Sequence, residues 1–236
     1  MSEETPVNQI SEKQTTANPY LMPGAILLAG ILIAYAVFVT QGDTAQTPVG
    51  GNTLIEEEVL PITSEDHIYG PKDPDVYFIE YSDFRCGYCG LFHKTILETL
   101  AAYEGKVAWV YRHTPYQPGG KEAAIASECI AELAGEEAFW EYSDRVFKNQ
   151  KSLSPQWSAD TALDIGVDGE KYTECISSGR YDDLIAKQTT NMEGLGGKGT
   201  PFNVLLTKEG GVVKFSGYTP IENVTIFVNR ALKSLE

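Results

Sequence analysis

The distribution of hydrophobic and polar positions separates an apolar segment near the start of the chain from a folded part that begins near Asp66. Residues 1–20 are polar and lack apolar periodicity, which predicts a disordered tail. Residues 21–39 carry no charge and no polar face, and their length approaches the ~20 residues that span a bilayer. We therefore expect a transmembrane helix over residues 21–40, which contacts the lipid bilayer, and a linker over residues 41–65.

The flanking charges indicate the orientation of this segment. Lys13 is the only basic residue before it, whereas residues 40–66 contain several acidic residues and no Lys or Arg. Because basic flanks stay on the cytoplasmic side, the folded part is expected outside the cytoplasm, in a periplasm or at a cell surface. No small-residue cleavage motif follows, which favours an uncleaved, single-pass signal anchor over a cleaved signal peptide.

Strand and helix patterns alternate in the folded part. Residues 75–81 and 106–113 are rich in β-branched and aromatic residues and predict two buried strands. Residues 86–103 predict a helix between them, because apolar residues recur at helical spacing: Leu91, Ile96, Leu97 and Leu100. A strand, a helix and a strand in so short a stretch form a βαβ unit, so the two strands should be parallel.

Helical patterns then dominate until two short strands close the sheet. The predicted helices cover residues 120–134, 136–148, 158–165, 168–178 and 181–193. Strand patterns follow at residues 202–206 and 212–215 with a glycine turn between them, and residues 221–235 predict a final amphipathic helix. The order βαβ, helices, ββα predicts an α/β fold with a helical insert over about residues 116–195.

Charge and glycine content exclude two classes of ligand. The net charge of −15 argues against nucleic acid as a partner, because a nucleic-acid surface needs clustered Lys and Arg. Residues 194–199 contain a literal G-x-G-x-x-G, but a helix precedes it and a strand follows it, the reverse of the dinucleotide-binding order. We expect no cofactor and no bound metal.

Cys86 and Cys89 form a C-x-x-C at the junction of a predicted strand and helix. Backbone N–H groups and the dipole at a helix N-terminus stabilise a thiolate, so Cys86 is the expected nucleophile and the more buried Cys89 the resolving thiol. A C-x-x-C is also half of a zinc site or a structural disulfide, and both alternatives stay open. The other two cysteines, Cys129 and Cys175, stand alone.

Several motifs in a fixed order resemble DsbA-like proteins of the thioredoxin superfamily over roughly residues 66–236. They are YSDFRCGYC at residues 81–89, the strand that ends in His113, the Ala-rich helix with Cys129, and GTPF at residues 199–202. The resemblance implies a thioredoxin fold with an inserted helical domain, in agreement with the pattern of elements. It also implies thiol–disulfide exchange outside the cytoplasm.

The resemblance implies three further assignments. Thr200 and Pro201 match a cis-proline loop that packs against the active-site cysteines. Glu80 interrupts the apolar face of a buried strand, so its pKa should be raised, and it matches a buried acid that accepts the proton of Cys89. Cys129 and Cys175 match a second, structural disulfide in the helical domain, with two buried free thiols as the alternative.

The direction of electron transfer stays open, because Gly87 and Tyr88 place no cation between the two sulfurs. An oxidising compartment favours an oxidase that introduces disulfides into reduced or unfolded exported proteins, with a membrane or soluble redox partner that resets the pair. A reductase or isomerase with the same site is the first alternative. A non-catalytic domain with a metal ion or a structural disulfide is the second.

Overall fold

Strands from both halves of the chain form one mixed sheet in the computed structural model, which describes residues 58–235. The strands are β1 (His67–Tyr69), β2 (Val76–Ser82), β3 (Val107–His113), β4 (Phe202–Thr207) and β5 (Val212–Ser216). Their order across the sheet is β1-β3-β2-β4-β5. Strand β1 is too short to produce a readable alternation, and the sequence pattern did not predict it.

Strand β2 lies at the centre of this sheet. It pairs in parallel with β3, which confirms the predicted βαβ unit, and antiparallel with β4. A central strand is covered on both faces and therefore lacks a polar face. Val76 and Phe78 belong to the larger apolar core on one face, and Ile79 and Tyr81 to a smaller core on the other.

The helices follow the predicted order along the chain. They are α1 (Gly87–Ala102), α2 (Gly120–Ala134), α3 (Glu136–Lys148), α4 (Pro155–Ile165), α5 (Gly169–Ser177), α6 (Asp182–Gly194) and α7 (Ile221–Lys233). Helices α2 to α6 are inserted between β3 and β4. Helix α4 begins earlier than predicted, because Ser154 caps it through the Trp157 amide and Pro155 occupies its first turn.

The buried face of α1 differs from the predicted one. Leu91, expected among the apolar contacts, is 58% exposed, whereas His93, which is not part of the predicted apolar face, is only 7% exposed. The His93 ring contacts Trp109 and Phe147, and its Nε2 lies 2.6 Å from Asp144 Oδ1. The aromatic partners of this face come from β3 (Trp109) and from α3 in the insert (Phe147), and a helical-spacing pattern within α1 cannot reveal them.

The folded part extends further towards the N-terminus than the pattern indicates. Val59 and Ile62, in the segment assigned to the linker, pack against the smaller core. The buried Arg112 side chain also donates to the carbonyl oxygens of Leu60 and Pro61. Within residues 58–235, no helix combines the length and the apolar character needed to cross a bilayer. The predicted tail, the predicted transmembrane helix at 21–40 and most of the predicted linker lie outside the described residues.

Candidate active site

The C-x-x-C occupies the turn from β2 into α1. Cys86 is the N-cap residue of α1, in an extended conformation, and Cys89 lies in the first turn. Cys89 is fully buried, while Cys86 retains 8% exposure and is the outer of the two. Both are free thiols in this structure. The burial difference means that a partner in solvent reaches Cys86 first.

The surroundings separate the pKa values of the two thiols. Hydrogen bonding to Cys89, and then to Thr200 and to the backbone amides of Cys89 and Tyr88, lowers the pKa of Cys86 to about 6 against the opposing effect of burial. Burial raises the pKa of Cys89 far above its ordinary value, and the contacts with Cys86 and Glu80 add to that rise. Cys86 is therefore the thiolate at neutral pH, and Cys89 holds its proton.

The Thr200–Pro201 loop lies directly against Cys86, although more than a hundred residues separate them in the sequence. The peptide bond between Thr200 and Pro201 is cis. The Cys86 Sγ lies 3.3 Å from the carbonyl oxygen of Thr200, to which the protonated thiol donates. The structure thus brings together the two motifs that the resemblance paired.

Glu80 lies in the sheet beneath the cysteines and is 1% exposed. The Ser82 hydroxyl donates to Glu80 Oε1 at 2.9 Å, and the cross-strand neighbours of Glu80 are Tyr111 and Asn203. Burial raises the pKa of Glu80 to about 8, although the hydrogen bond from Ser82 and the nearby Trp109 indole oppose the rise. A carboxyl group with that pKa exchanges a proton readily near neutral pH.

Asp83 organises the turn that precedes Cys86, a role that the sequence analysis did not assign. Its Oδ1 accepts the backbone N–H of Arg85 at 2.8 Å, and its Oδ2 accepts those of Tyr116 and Gln117 at 2.9 and 2.7 Å. The turn into α1 is thereby joined to the loop that leads into the helical insert. The local Asp-x-Arg contact is an Asx turn, a signal that the sequence does contain.

Gln150 and Arg85 form a reciprocal clamp across the same turn. The Gln150 side-chain amide donates to the carbonyl oxygens of Phe84 and Cys86 at 2.9 and 2.8 Å. The Arg85 guanidinium donates in return to the carbonyl oxygens of Gln150 and Leu153. Gln150 lies just after α3 in the insert, and no local pattern could have identified it. The insert therefore holds the position of the Cys86 backbone.

Exposed apolar side chains and a shallow cavity surround the cysteines. Tyr88 and Leu91 on α1 are 64% and 58% exposed, and Tyr218, whose ring contacts Phe92 on α1, is 44% exposed. A cavity of about 340 Å³ adjoins the cis-proline loop; its lining includes Thr200, Ser216 and Gly217. Exposed aromatic groups beside a cleft are typical of a surface that contacts another chain.

Cys129 and Cys175 form a disulfide that joins α2 to α5 within the helical insert. Cys86 and Cys89 are thus the only thiols that titrate. Among residues 58–235, the one group of three or more potential metal ligands includes neither of them. The C-x-x-C accordingly lacks, in the part of the chain that the structure describes, the further ligands that a zinc site requires.

The family described as Thioredoxin matches residues 63–205, more than half of the chain. The chain belongs to this family. Within that family, its paired cysteines and its helical insert give it a DsbA-like architecture.

Solved structures of DsbA proteins share this fold. Wolbachia pipientis α-DsbA1 superposes with a TM-score of 0.65 at 22% identity, over 75% of this chain and 98% of that one. Oxidised BdbD from Bacillus subtilis gives a TM-score of 0.63 at 18% identity, over 73% and 96% of the two chains. Pseudomonas aeruginosa DsbA2 gives 0.59 at 22% identity, over 72% and 94%. At these identities the likeness establishes the architecture.

Curated relatives carry a similar region within a longer protein. The Na(+)/H(+) antiporter NhaA 3 of Salinispora tropica is 28% identical over 179 residues, which are 75% of this chain and 27% of that protein. The NhaA antiporter of Herminiimonas arsenicoxydans is 28% identical over 177 residues, with the same coverage. The chain thus spans about a quarter of the length of the curated relatives it matches.

Proposed function

We propose that this protein is a membrane-anchored, extracytoplasmic oxidase that introduces disulfides into exported proteins through Cys86 and Cys89. The observation that carries the proposal is the asymmetry of the pair: an outer Cys86 whose pKa is lowered to about 6, above a buried Cys89. A stabilised thiolate favours the reduced form of the pair, and a pair with a stable reduced form is a stronger oxidant.

The reaction follows from the positions of the two sulfurs. A substrate thiolate attacks Cys86 Sγ of the oxidised pair, forming a mixed disulfide and breaking the Cys86–Cys89 bond, and Cys89 leaves as a thiolate. A second substrate thiolate then attacks the substrate sulfur and releases Cys86 as a thiolate. The substrate loses two electrons and becomes a disulfide. The enzyme pair gains those electrons, and a membrane or soluble redox partner removes them.

Glu80 is proposed as the proton donor and acceptor for Cys89. Because its pKa is about 8, the carboxyl group is largely protonated near neutral pH and can protonate the leaving Cys89 thiolate. In the reverse direction its carboxylate accepts the Cys89 proton. The buried site offers Cys89 little access to bulk water, so a nearby exchangeable group matters for this step.

The cis-proline loop and its apolar surroundings are proposed to hold the substrate. Thr200 lies beside the reacting Cys86, so its backbone is placed to pair with an extended substrate segment. The exposed Tyr88, Leu91 and Tyr218 offer contacts to the apolar side chains of an unfolded chain. Such contacts are tolerant of sequence, which suits an enzyme that acts on many reduced proteins.

Membrane attachment through residues 21–40 is supported by the uncharged apolar run and by the acidic residues after it. The relatives named as Na(+)/H(+) antiporters agree with a membrane location for domains of this kind, because an antiporter acts across a membrane. Protease treatment of intact and permeabilised cells tests the orientation. Digestion of the folded domain only after inner-membrane disruption would contradict an extracytoplasmic location.

The direction of electron transfer is tested by the equilibrium of the Cys86–Cys89 pair with glutathione. An oxidase should give a reduction potential above that of protein disulfide isomerase, about −180 mV, whereas a reductase should lie near thioredoxin, about −270 mV. Oxidative refolding of a reduced substrate should accelerate with the oxidised wild type and stop with Cys86→Ser. A Cys86→Ser variant that exchanges disulfides at the wild-type rate would remove the assignment of Cys86 as nucleophile.

A further inference from the structure

Two histidines and a glutamate meet in the described part of the chain at a place that disulfide exchange does not use. They are His67 in β1, His113 at the end of β3 and Glu128 in α2, and all three are buried. The Glu128 carboxylate lies 3.3 Å from His67 Nε2 and 3.1 Å from His113 Nε2. One potential ligand atom from each residue lies within 4.8 Å of the others.

The two distances from Glu128 are close to the spacing of ligands around a zinc ion. With bonds of about 2.0–2.1 Å to imidazole nitrogen and carboxylate oxygen, tetrahedral ligands lie roughly 3.3–3.4 Å apart. We propose that His67, His113 and Glu128 bind one zinc ion, with a fourth position open to water. Two imidazoles and one carboxylate suit a borderline metal such as zinc, whereas Ca²⁺ and Mg²⁺ prefer all-oxygen sites.

The hydrogen bonds of Glu136 orient His67 for this role. Glu136 Oε2 lies 2.9 Å from His67 Nδ1, and its Oε1 accepts the backbone N–H of Ile68 and the indole N–H of Trp140. With the Nδ1 proton directed at Glu136, loss of the Nε2 proton leaves a lone pair of His67 directed towards Glu128. A carboxylate behind a histidine is the usual outer shell of a zinc ligand, because it fixes the tautomer and the ring.

Two atoms of the cluster lack a well-aligned hydrogen bond. His67 Nε2 and Glu128 Oε1 are buried and have no hydrogen-bond partner among the described residues, although both lie at ion-pair distance from the opposite group. Buried polar atoms without a partner destabilise a protein. A zinc ion between the three side chains would satisfy both atoms at once. Without zinc, the same atoms form a network of charge contacts.

An acidic cavity gives access to the cluster. Its volume is about 390 Å³, and its lining includes His67, Glu128, Glu132 and Glu136. Arg180 also lines it, but its guanidinium is paired with Glu132 at 2.7 Å, so the remaining carboxylates favour a cation. Because the ligands belong to β1, β3 and α2, a bound ion would join the sheet to the helical insert.

Zinc titration of the full-length chain in detergent, with the Cys86–Cys89 pair oxidised, tests the proposal. Oxidation removes the thiols as competing ligands, and competition with a chromophoric chelator measures affinity and stoichiometry. We expect one zinc per chain and a higher midpoint of thermal unfolding with added zinc. His113→Gln should abolish this binding, and Glu136→Gln should weaken it by about 10- to 100-fold. Glu65→Gln, which changes the same cavity but none of the three ligands and leaves the Arg180–Glu132 pair intact, should bind like the wild type.

Zinc binding and disulfide exchange are measured independently, so a failure of the zinc proposal can be distinguished from a failure of the proposed function. Circular dichroism and glutathione exchange show whether each variant is folded, and Glu136→Gln keeps the proposal testable if His113→Gln does not fold. Cobalt in place of zinc should give visible absorption without a thiolate charge-transfer band. The proposal fails if the oxidised wild type binds no stoichiometric zinc, or if folded His113→Gln and Glu136→Gln bind as tightly as the wild type.

Discussion

Replacing Cys89 with alanine tests why the pKa of Cys86 is low. Hydrogen bonding from Cys89 is the largest contribution that lowers this pKa from 9.0 to about 6. Alanine removes that donor but leaves Thr200 and the backbone amides at the start of α1, so the pKa should rise without reaching its ordinary value. One hydrogen bond to a charged group stabilises it by about 1.4 kcal/mol. Its loss from the Cys86 thiolate would change the ratio of thiolate to thiol about tenfold.

That change is large enough to measure near neutral pH. A pKa of about 6 gives about ten thiolates per thiol at about pH 7, and a tenfold change leaves about equal amounts. Ultraviolet absorbance of the thiolate against pH reports the ratio directly, because Cys129 and Cys175 are disulfide-bonded and do not titrate. Cys89→Ser is the matched control, since its hydroxyl retains a donor and should hold the pKa nearer the wild-type value.

The same shift contributes to the way in which the stability of the reduced protein depends on pH. Because folding lowers the pKa of Cys86, its contribution to stability is fully present above about pH 9 and is lost as the pH falls through about 6. Denaturant titrations of reduced and oxidised protein over that range measure the difference. The reasoning is refuted if Cys89→Ala titrates like the wild type, or if wild-type Cys86 titrates near its ordinary value.

Three further predictions concern groups around the site. Glu80→Gln should slow the attack of Cys89 on a mixed disulfide between Cys86 and a substrate by about 100-fold, and should remove the dependence of that rate on pH near pH 8. Stopped-flow release of a labelled substrate measures this rate, and an unchanged pH profile excludes a proton role for Glu80. Gln150→Ala should lower the free energy of unfolding by about 1–3 kcal/mol, because it leaves the carbonyl groups of Phe84 and Cys86 without the Gln150 hydrogen bonds. The pKa of Cys86 should also rise, and an unaltered thiolate titration would show that Gln150 does not position Cys86. The double substitution Cys129→Ala and Cys175→Ala should lower the free energy of unfolding by about 4 kcal/mol, because the disulfide closes a loop of 46 residues, and should leave the exchange rate unchanged. Equal urea midpoints for the variant and the wild type would contradict this stabilisation.

Local patterns predicted most of the fold. The βαβ unit, the inserted helices and the closing ββα order follow from apolar spacing and turn residues, because each element's pattern reflects its own burial. Strand β1 was missed because three residues are too few for a pattern. The face of α1 was misplaced at Leu91, because the aromatic partners of this helix come from β3 and α3. Element type is local information, whereas the choice of packing partner is not.

The sequence by itself determined the chemistry available to this protein: a C-x-x-C at a helix start, a buried acid in the preceding strand, and an apolar segment upstream. Only the tertiary structure decided what surrounds that chemistry. It placed the carbonyl oxygen of Thr200 at 3.3 Å from Cys86 Sγ, and it added a hydrogen bond from Gln150 to the Cys86 carbonyl oxygen. It also brought His67, His113 and Glu128 together from three elements. The physical reason is that hydrogen bonds, burial and pKa values depend on distances in space, and residues far apart in the chain set those distances.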